Sequence, residues 1–278
     1  MVVFWLVLVG LAMGSFVDAL VWRVYQQSLP KKKRAATDKE LSIISGRSMC
    51  PHCKHTLAWY DLLPIISWSM LRAKCRYCKT TMHWQYPLLE AGMAGLFVLS
   101  YAFWPVELVG ATEIIPFAAW LLSLVGLVAL AVYDLRWMLL PNRIVLPVGV
   151  IAAVGALSRI ITSTNSVNTA VLVAGSVAVA GGIFYVLFQL SDGRWIGGGD
   201  VKLGFVLGLL LATPALAFLM LFVASLLGLL AAMPGVVAKR RHMNSKLPFG
   251  PFLIAATVLV QLFGQELIDW YAGLFLYM

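Results

Sequence analysis

Long apolar runs broken by short polar clusters set the pattern of this chain. Windows of about 20 apolar residues, enough to cross a hydrocarbon core of ~30 Å, recur along most of its length. They predict about eight helical crossings, over residues 2–22, 87–104, 115–133, 144–161, 170–190, 201–212, 215–237 and 249–267. The sixth is the shortest: about 12 helical residues rise only ~18 Å, so it must tilt, re-enter or continue past the Thr213-Pro214 break. One long polar stretch interrupts the series between the first and second crossings. The expected architecture is an all-α integral membrane protein in three parts: a first transmembrane helix (1–22), a cytoplasmic basic domain (23–84) and a polytopic membrane domain (85–278).

Composition agrees with that pattern. Of 278 residues, 61% are hydrophobic and only 12% charged, and the mean hydropathy is +0.89, well beyond a soluble domain. The net charge of +9 would suggest nucleic acid if it lay on a folded soluble face. Its distribution excludes that reading. Twelve of the 21 Lys and Arg lie between Arg23 and Lys79, beside only Asp38, Glu40 and Asp61, and the positive-inside rule then puts this stretch in the cytoplasm. Residues 1–22 lack a basic region ahead of the apolar run and a clear small-residue cleavage site after it, so they read as a retained helix with its N-terminus outside. Alternating the crossings from there puts Glu107, Glu113 and the TSTNSVN loop outside. Arg136, Arg143, Arg194 and the basic run KRRHMNSK fall inside.

Two aspartates fall on that same inner side. Asp134 ends the run AAWLLSLVGLVALAVYD, and Asp200 closes the cluster RWIGGGDVKL. A carboxylate beside hydrocarbon is expensive and marks a partner or a task. A pair of them is the minimal equipment for aspartic-type peptide hydrolysis, where one carboxylate activates water and the protonated partner donates to the carbonyl. If the two lie together they share a proton and titrate as a unit. Gly197, Gly198 and Gly199 remove side-chain bulk and permit unusual backbone angles, opening a path for an extended substrate to reach Asp200. Structural readings stand beside these: Asp200 paired with Lys202, or Asp134 tied to Arg136.

All four cysteines sit in the polar stretch, as Cys50-Pro-His-Cys53 and Cys75-Arg-Tyr-Cys78 with residues 54–74 between the pairs. Two C-x-x-C knuckles at this distance form the pattern of a four-cysteine zinc site. In a reducing cytosol disulfides are disfavoured, and a closed thiolate shell leaves no open position for catalysis. The zinc is therefore structural, with a redox dithiol as the other reading. The intervening LAWYDLLPIISWSMLRAK is too apolar for a solvated linker and is expected to pack on the membrane domain or lie in its interface.

With these residues in order, the chain resembles the type IV prepilin peptidase family nearly end to end. The resemblance rests on Gly14-Ser15-Phe16 with Arg23, the knuckles in SMCPHC and KCRYC, and Gln85-Tyr86-Pro87-Leu88-Leu89-Glu90. It continues through Asp134 with Leu140-Pro141-Asn142, GGGD200 with Val201-Lys202-Leu203, and Leu247-Pro248-Phe249-Gly250-Pro251-Phe252. It implies that Asp134 and Asp200 are a catalytic pair cutting basic leaders from type IV prepilins or type II secretion pseudopilins at the cytoplasmic face of the inner membrane. It also implies N-methylation of the freed terminus with S-adenosylmethionine, typical of members that carry the knuckles. One departure, Ala73 where the family often has glycine, leaves a peptidase without methylation as the alternative. No G-x-G-x-x-G signature marks a cofactor pocket.

The remaining polar residues carry open readings. Glu90 serves a substrate or methyl-transfer site, or is an interfacial helix residue. Asp18, inside the first helix, is expected to pair with Arg23 or face the bundle interior. Lys202 biases Asp200 or snorkels to headgroups, and Lys31 to Arg34 meet membrane lipid headgroups. Trp5, Trp22, Trp104, Trp120 and Trp270 fit an aromatic belt. A function from another class, a small ion-coupled transporter, would use the same carboxylates; it would more often show internal repeats, which the chain lacks. A non-catalytic assembly factor is a third.

Overall fold

A chain this apolar can sit in hydrocarbon only if each segment satisfies its own backbone donors and acceptors. Helix does this. The computed structural model describes residues 1–43, 45–237 and 247–276, and within them helices dominate, with no strand beyond two isolated bridges. The helices are α1 (Val2–Ser28), the short α2 (Ile66–Met70), α3 (Gln85–Ala102), α4 (Ala111–Trp137), α5 (Asn142–Thr162), α6 (Ser166–Val177), α7 (Ile183–Ser191), α8 (Gly198–Leu211), α9 (Pro214–Val237) and α10 (Gly250–Leu276). A π-helical turn, Ala178–Gly182, joins α6 to α7.

Six of these segments are long and apolar enough to cross a membrane: Val2–Ser28, Ala111–Trp137, Asn142–Thr162, Ser166–Ser191, Pro214–Pro234 and Gly250–Leu274. The two others counted toward eight are α3 and α8, and neither meets both demands. Helix α8, with 14 residues, rises only ~21 Å. The basic run at 239–246 lies outside the described residues.

The chain forms two compact units, Met1–Ala102 and Phe103–Met278. In the first, α1 and α3 cross closely because Gly10 and Gly14, one turn apart, present no side chain. A Cβ on Gly10 would stand 2.6 Å from Ala94 Cα, and one on Gly14 would stand 2.4 Å from Glu90 Cα. This is the small-xxx-small contact of membrane helix pairs. It brings Asp18 to Gln85, whose Nε2 donates to Asp18 Oδ1 at 2.8 Å. Arg23 is not the partner that the sequence suggested. Its guanidinium, 6% exposed, donates to the carbonyls of Ser42 (3.1 Å), Ile43 (3.2 Å) and Gly46 (2.9 Å), folding the start of the polar stretch back onto α1.

In the second unit α8 is the buried element. Residues on all its sides are covered, among them Val201, Leu203, Val206, Leu207, Leu210 and Leu211, as expected of a helix that is apolar all round. It nests against the π turn and α6 through Gly204 and Gly208, where Cβ atoms would fall 2.5 Å from Ala180 O and 2.7 Å from Val177 Cα. Ser176 Oγ donates to Gly208 O at 2.8 Å. At the far end Arg159 Nη1 donates to Leu210 O (3.4 Å), supplying a donor to a carbonyl that the last turn of α8 leaves open. Trp120 does not belong to an aromatic belt. It is 1% exposed, packed with Trp104 and facing the interior of α4's surroundings, whereas Trp5 and Trp270 are open.

Candidate active site

Asp134 sits in the last turn of α4, which ends at Met138 in the left-handed conformation (φ 52°), its N–H bonded to Asp134 O. The carboxyl is 5% exposed. Its Oδ2 accepts the backbone N–H of Gly250, the first residue of α10, at 3.1 Å. Helix N-termini offer unsatisfied donors and a positive dipole end, so they suit a carboxylate.

Asp200 belongs to the start of α8. Gly197 is the N-cap and Asp200 stands three residues on, where its side chain accepts the Gly197 N–H, the reaching-back half of a capping box. That local rule explains how the GGGD sequence starts a helix. The glycines do not adopt unusual angles: Gly197 has φ −72°, and among the described residues only Gly193 is a glycine with positive φ. Their service is space, since a Cβ on Gly199 would stand 3.0 Å from the Leu140 side chain. Asp134 and Asp200 interact electrostatically, so two helices far apart in sequence bring their carboxyls to one place. Lys202 Nζ donates instead to Asn142 Oδ1 at 2.9 Å, tying α8 to the first residue of α5. The arrangement can hold one ionised and one protonated carboxyl on either side of a substrate carbonyl.

In the first unit the two cysteine pairs form matching knuckles. Each is closed by an antiparallel bridge, Met49 with Thr56 and Lys74 with Thr81. Each also turns through a positive-φ lysine directly after its second cysteine, Lys54 (56°) and Lys79 (61°). The four Sγ atoms lie within 4.8 Å of one another, and Cys50 and Cys78 are 3.8 Å apart. Tetrahedral coordination with metal–sulfur bonds of ~2.3 Å demands S···S distances of ~3.8 Å. The cluster could hold a metal ion such as zinc. Hydrogen bonds with the Thr80 side chain and backbone hold the Cys78 thiol down at about 6, whereas burial pushes the Cys75 thiol up.

Asp61 braces this cluster from the connecting segment. It accepts Arg76 Nε at 2.7 Å and the Tyr77 hydroxyl at 3.1 Å. Burial alone would raise its carboxyl, but the bonds from Arg76, the Ala58 N–H and Tyr77 leave it below the ordinary value. A depressed carboxyl contributes stability that is present above about pH 4 and lost as pH falls through its folded-state value. Asp61→Asn lacks that contribution at every pH. We expect its zinc release, followed with a chelating dye, to begin at a pH a few tenths higher than in the unmodified protein, thiolate protonation driving release in both.

Glu90 lies in the first unit. It is 7% exposed, faces Gly14 and Ser15, and Oε2 accepts the Ile65 N–H at 2.7 Å. Sequence reasoning named Gly250 only as part of a motif and gave Arg159 and Trp68 no role. A glycine just after Pro-Phe at the start of an apolar run was the one available signal for the first.

Ten helices, six of membrane-crossing character, with an interacting carboxyl pair in one unit and a four-cysteine cluster in the other, define a multi-pass membrane protein with candidate acid–base and metal sites. Residues 8–104 match the Bacterial Peptidase A24 N-terminal domain and residues 121–233 the type IV leader peptidase family. A prepilin leader peptidase/N-methyltransferase of Bacillus subtilis is 33% identical over 83% of this chain and 87% of its own. One from Aeromonas hydrophila is 31% identical over 97% and 93%. A type 4 prepilin-like proteins leader peptide-processing enzyme of Escherichia coli O78:H11 is 34% identical over 88% and 87%. No solved structure matches. The chain belongs to the type IV leader peptidase family.

Proposed function

We propose that this protein removes the basic leader from type IV prepilins or type II secretion pseudopilins by an aspartic mechanism, and N-methylates the new terminus with S-adenosylmethionine. The observation that carries the peptidase reading is the meeting of Asp134 and Asp200 from separate helices, each carboxyl receiving one backbone N–H at a helix start. The pair belongs to the membrane part within 85–278, and its inner-membrane, cytoplasm-facing placement follows from the distribution of Lys and Arg. The ionised member takes a proton from water as it attacks the scissile carbonyl. Its protonated partner donates to the carbonyl oxygen, and the proton then passes to the leaving amine. The glycines before Asp200 leave the approach open, and Lys202 fixes the helix that carries it.

Zinc, held by Cys50, Cys53, Cys75 and Cys78, would tie the two knuckles of the 23–84 segment without entering the chemistry. Methylation is supported by the backbone at the family's variable position. Ala73 adopts φ 58°, the left-handed conformation that glycine takes without penalty. The departure from glycine therefore adds strain but keeps the turn.

Incubating purified protein with a candidate prepilin and S-adenosylmethionine, then reading the product by mass spectrometry, tests both halves. A new N-terminus at the leader junction bearing one added methyl group is the expected result; an uncut substrate overturns the peptidase reading. Gly250→Ala offers a finer check. Its Cβ would lie 2.7 Å from Asp134 Oδ2, so the carboxyl must move, and misplacements of about 1 Å cost up to ~100-fold in rate. We expect kcat to fall about 10- to 100-fold with KM little changed; an unaltered kcat would separate Gly250 from the chemistry.

A further inference from the structure

The first unit contains a cavity of about 290 Å³ between α1, α3 and the knuckles, close to the ~300 Å³ lower bound of small-molecule sites. Hydrolysis by the aspartate pair gives it no task. Its walls are chemically mixed in a particular way. Two carboxylates, Asp18 from α1 and Glu90 from α3, enter it beside the faces of Trp22, Trp68 and Tyr86, and Arg47 stands on its rim from the knuckle side. Trp68 Nε1 is buried and has no hydrogen-bond partner among the described residues, a donor that a bound molecule would satisfy. The residue that delivers its N–H to Glu90, Ile65, has φ 59°. A β-branched side chain rarely tolerates this conformation, and such strain persists where the surroundings over-determine it, often at ligand sites.

We propose that this cavity is the methyl-transfer site, taking the sulfonium donor S-adenosylmethionine and the freed α-amino group, with Glu90 as the base. The inference rests on the methyltransferase half of the proposed function. The chemistry matches the walls wall by wall. A sulfonium cation is stabilised by aromatic faces and nearby carboxylates, an adenine ring stacks on Trp or Tyr, and Arg47 can pair with the donor's own carboxylate. In the transfer the amine nitrogen forms a bond to the methyl carbon as the carbon–sulfur bond breaks. The electron pair of that bond stays on sulfur, giving a neutral thioether, and the proton lost by nitrogen passes to Glu90. Cys50 and Cys75 also border the cavity, so the metal cluster would shape its wall.

Ultraviolet cross-linking of radiolabelled S-adenosylmethionine to the full-length protein in detergent, followed by peptide mapping, tests the placement directly. Label within 47–57 or 62–90, competed away by S-adenosylhomocysteine, is expected. Arg47→Ala should raise the donor concentration for half-maximal labelling about tenfold. Glu90→Gln should keep the label and its zinc while methylation of a synthetic mature pilin N-terminus falls at least about 100-fold, the scale of a lost general base. Methylation by the unmodified protein with label only in 103–276 overturns the cavity assignment alone, and methylation by Glu90→Gln at the unmodified rate overturns the base. Neither label nor methylation in the unmodified protein overturns the methyltransferase reading and the site with it.

Discussion

Asp134→Asn and Asp200→Asn are each expected to lower leader cleavage by at least about a thousandfold, a barrier increase of ~4 kcal/mol. An amide can neither take a proton from the attacking water nor give one to the carbonyl oxygen. General acid–base steps contribute ~10²–10⁴, and residues that act as a unit lose most of their effect when either is removed. The double variant should therefore be scarcely worse than the singles. Asparagine keeps the shape and still presents an oxygen to the N–H of Gly250 or Gly197, so both variants should remain folded, with the thermal midpoint in detergent within a few degrees. The measurement is single-turnover cleavage of a purified prepilin. Turnover above about a tenth of the unmodified rate in either variant would remove that aspartate from the mechanism, and full loss accompanied by unfolding would be resolved by the midpoint.

Cys75→Ser is expected to reduce bound zinc from about one per chain to below about 0.1, measured by atomic emission on protein purified without added chelator. Cys75 and Cys50 are the two buried members of the cluster, Cys53 is exposed and Cys78 partly so, and a serine hydroxyl cannot replace a buried thiolate as a soft ligand. Structural zinc sites couple ~10–16 kcal/mol of metal binding to local folding. Loss should therefore free the turns at Lys54 and Lys79 and expose 47–82 to limited proteolysis, while the membrane helices stay protected. Methyl transfer should fall with the metal, because Cys50 and Cys75 border the cavity assigned to it. Zinc held at full stoichiometry by Cys75→Ser would contradict a four-thiolate site.

Much of this was legible beforehand, and the legible parts share a character. Apolar run length, the excess of Lys and Arg in 23–79 and the two C-x-x-C spacings are local properties that sum along the chain. The break at Thr213-Pro214 appears where it was expected, as Ala212 turns left-handed (φ 60°) and Pro214 opens α9. The misreadings concern partners. Asp18 was given to Arg23 by proximity in sequence, yet Gln85, 67 positions away, reaches it, and Arg23 is drawn off by three carbonyls. Trp120 looked like an interface residue because it lies near an end of its apolar run; neighbouring helices bury it.

By itself the sequence determined that the chain is helical and membrane-borne, that four thiols can gather on one metal, and that two carboxylates stand at the margins of apolar helices. Each of those follows from hydrophobicity, spacing or backbone satisfaction within one segment. Only the tertiary structure decided that Asp134 meets Gly250, 116 positions on, that α1 and α3 close on each other at Gly10 and Gly14, and that a cavity with two carboxylates opens beside the knuckles. Those depend on how near two backbones can come. That distance is set by side chains absent from one helix and the shape of another, a pairwise property that no single segment carries.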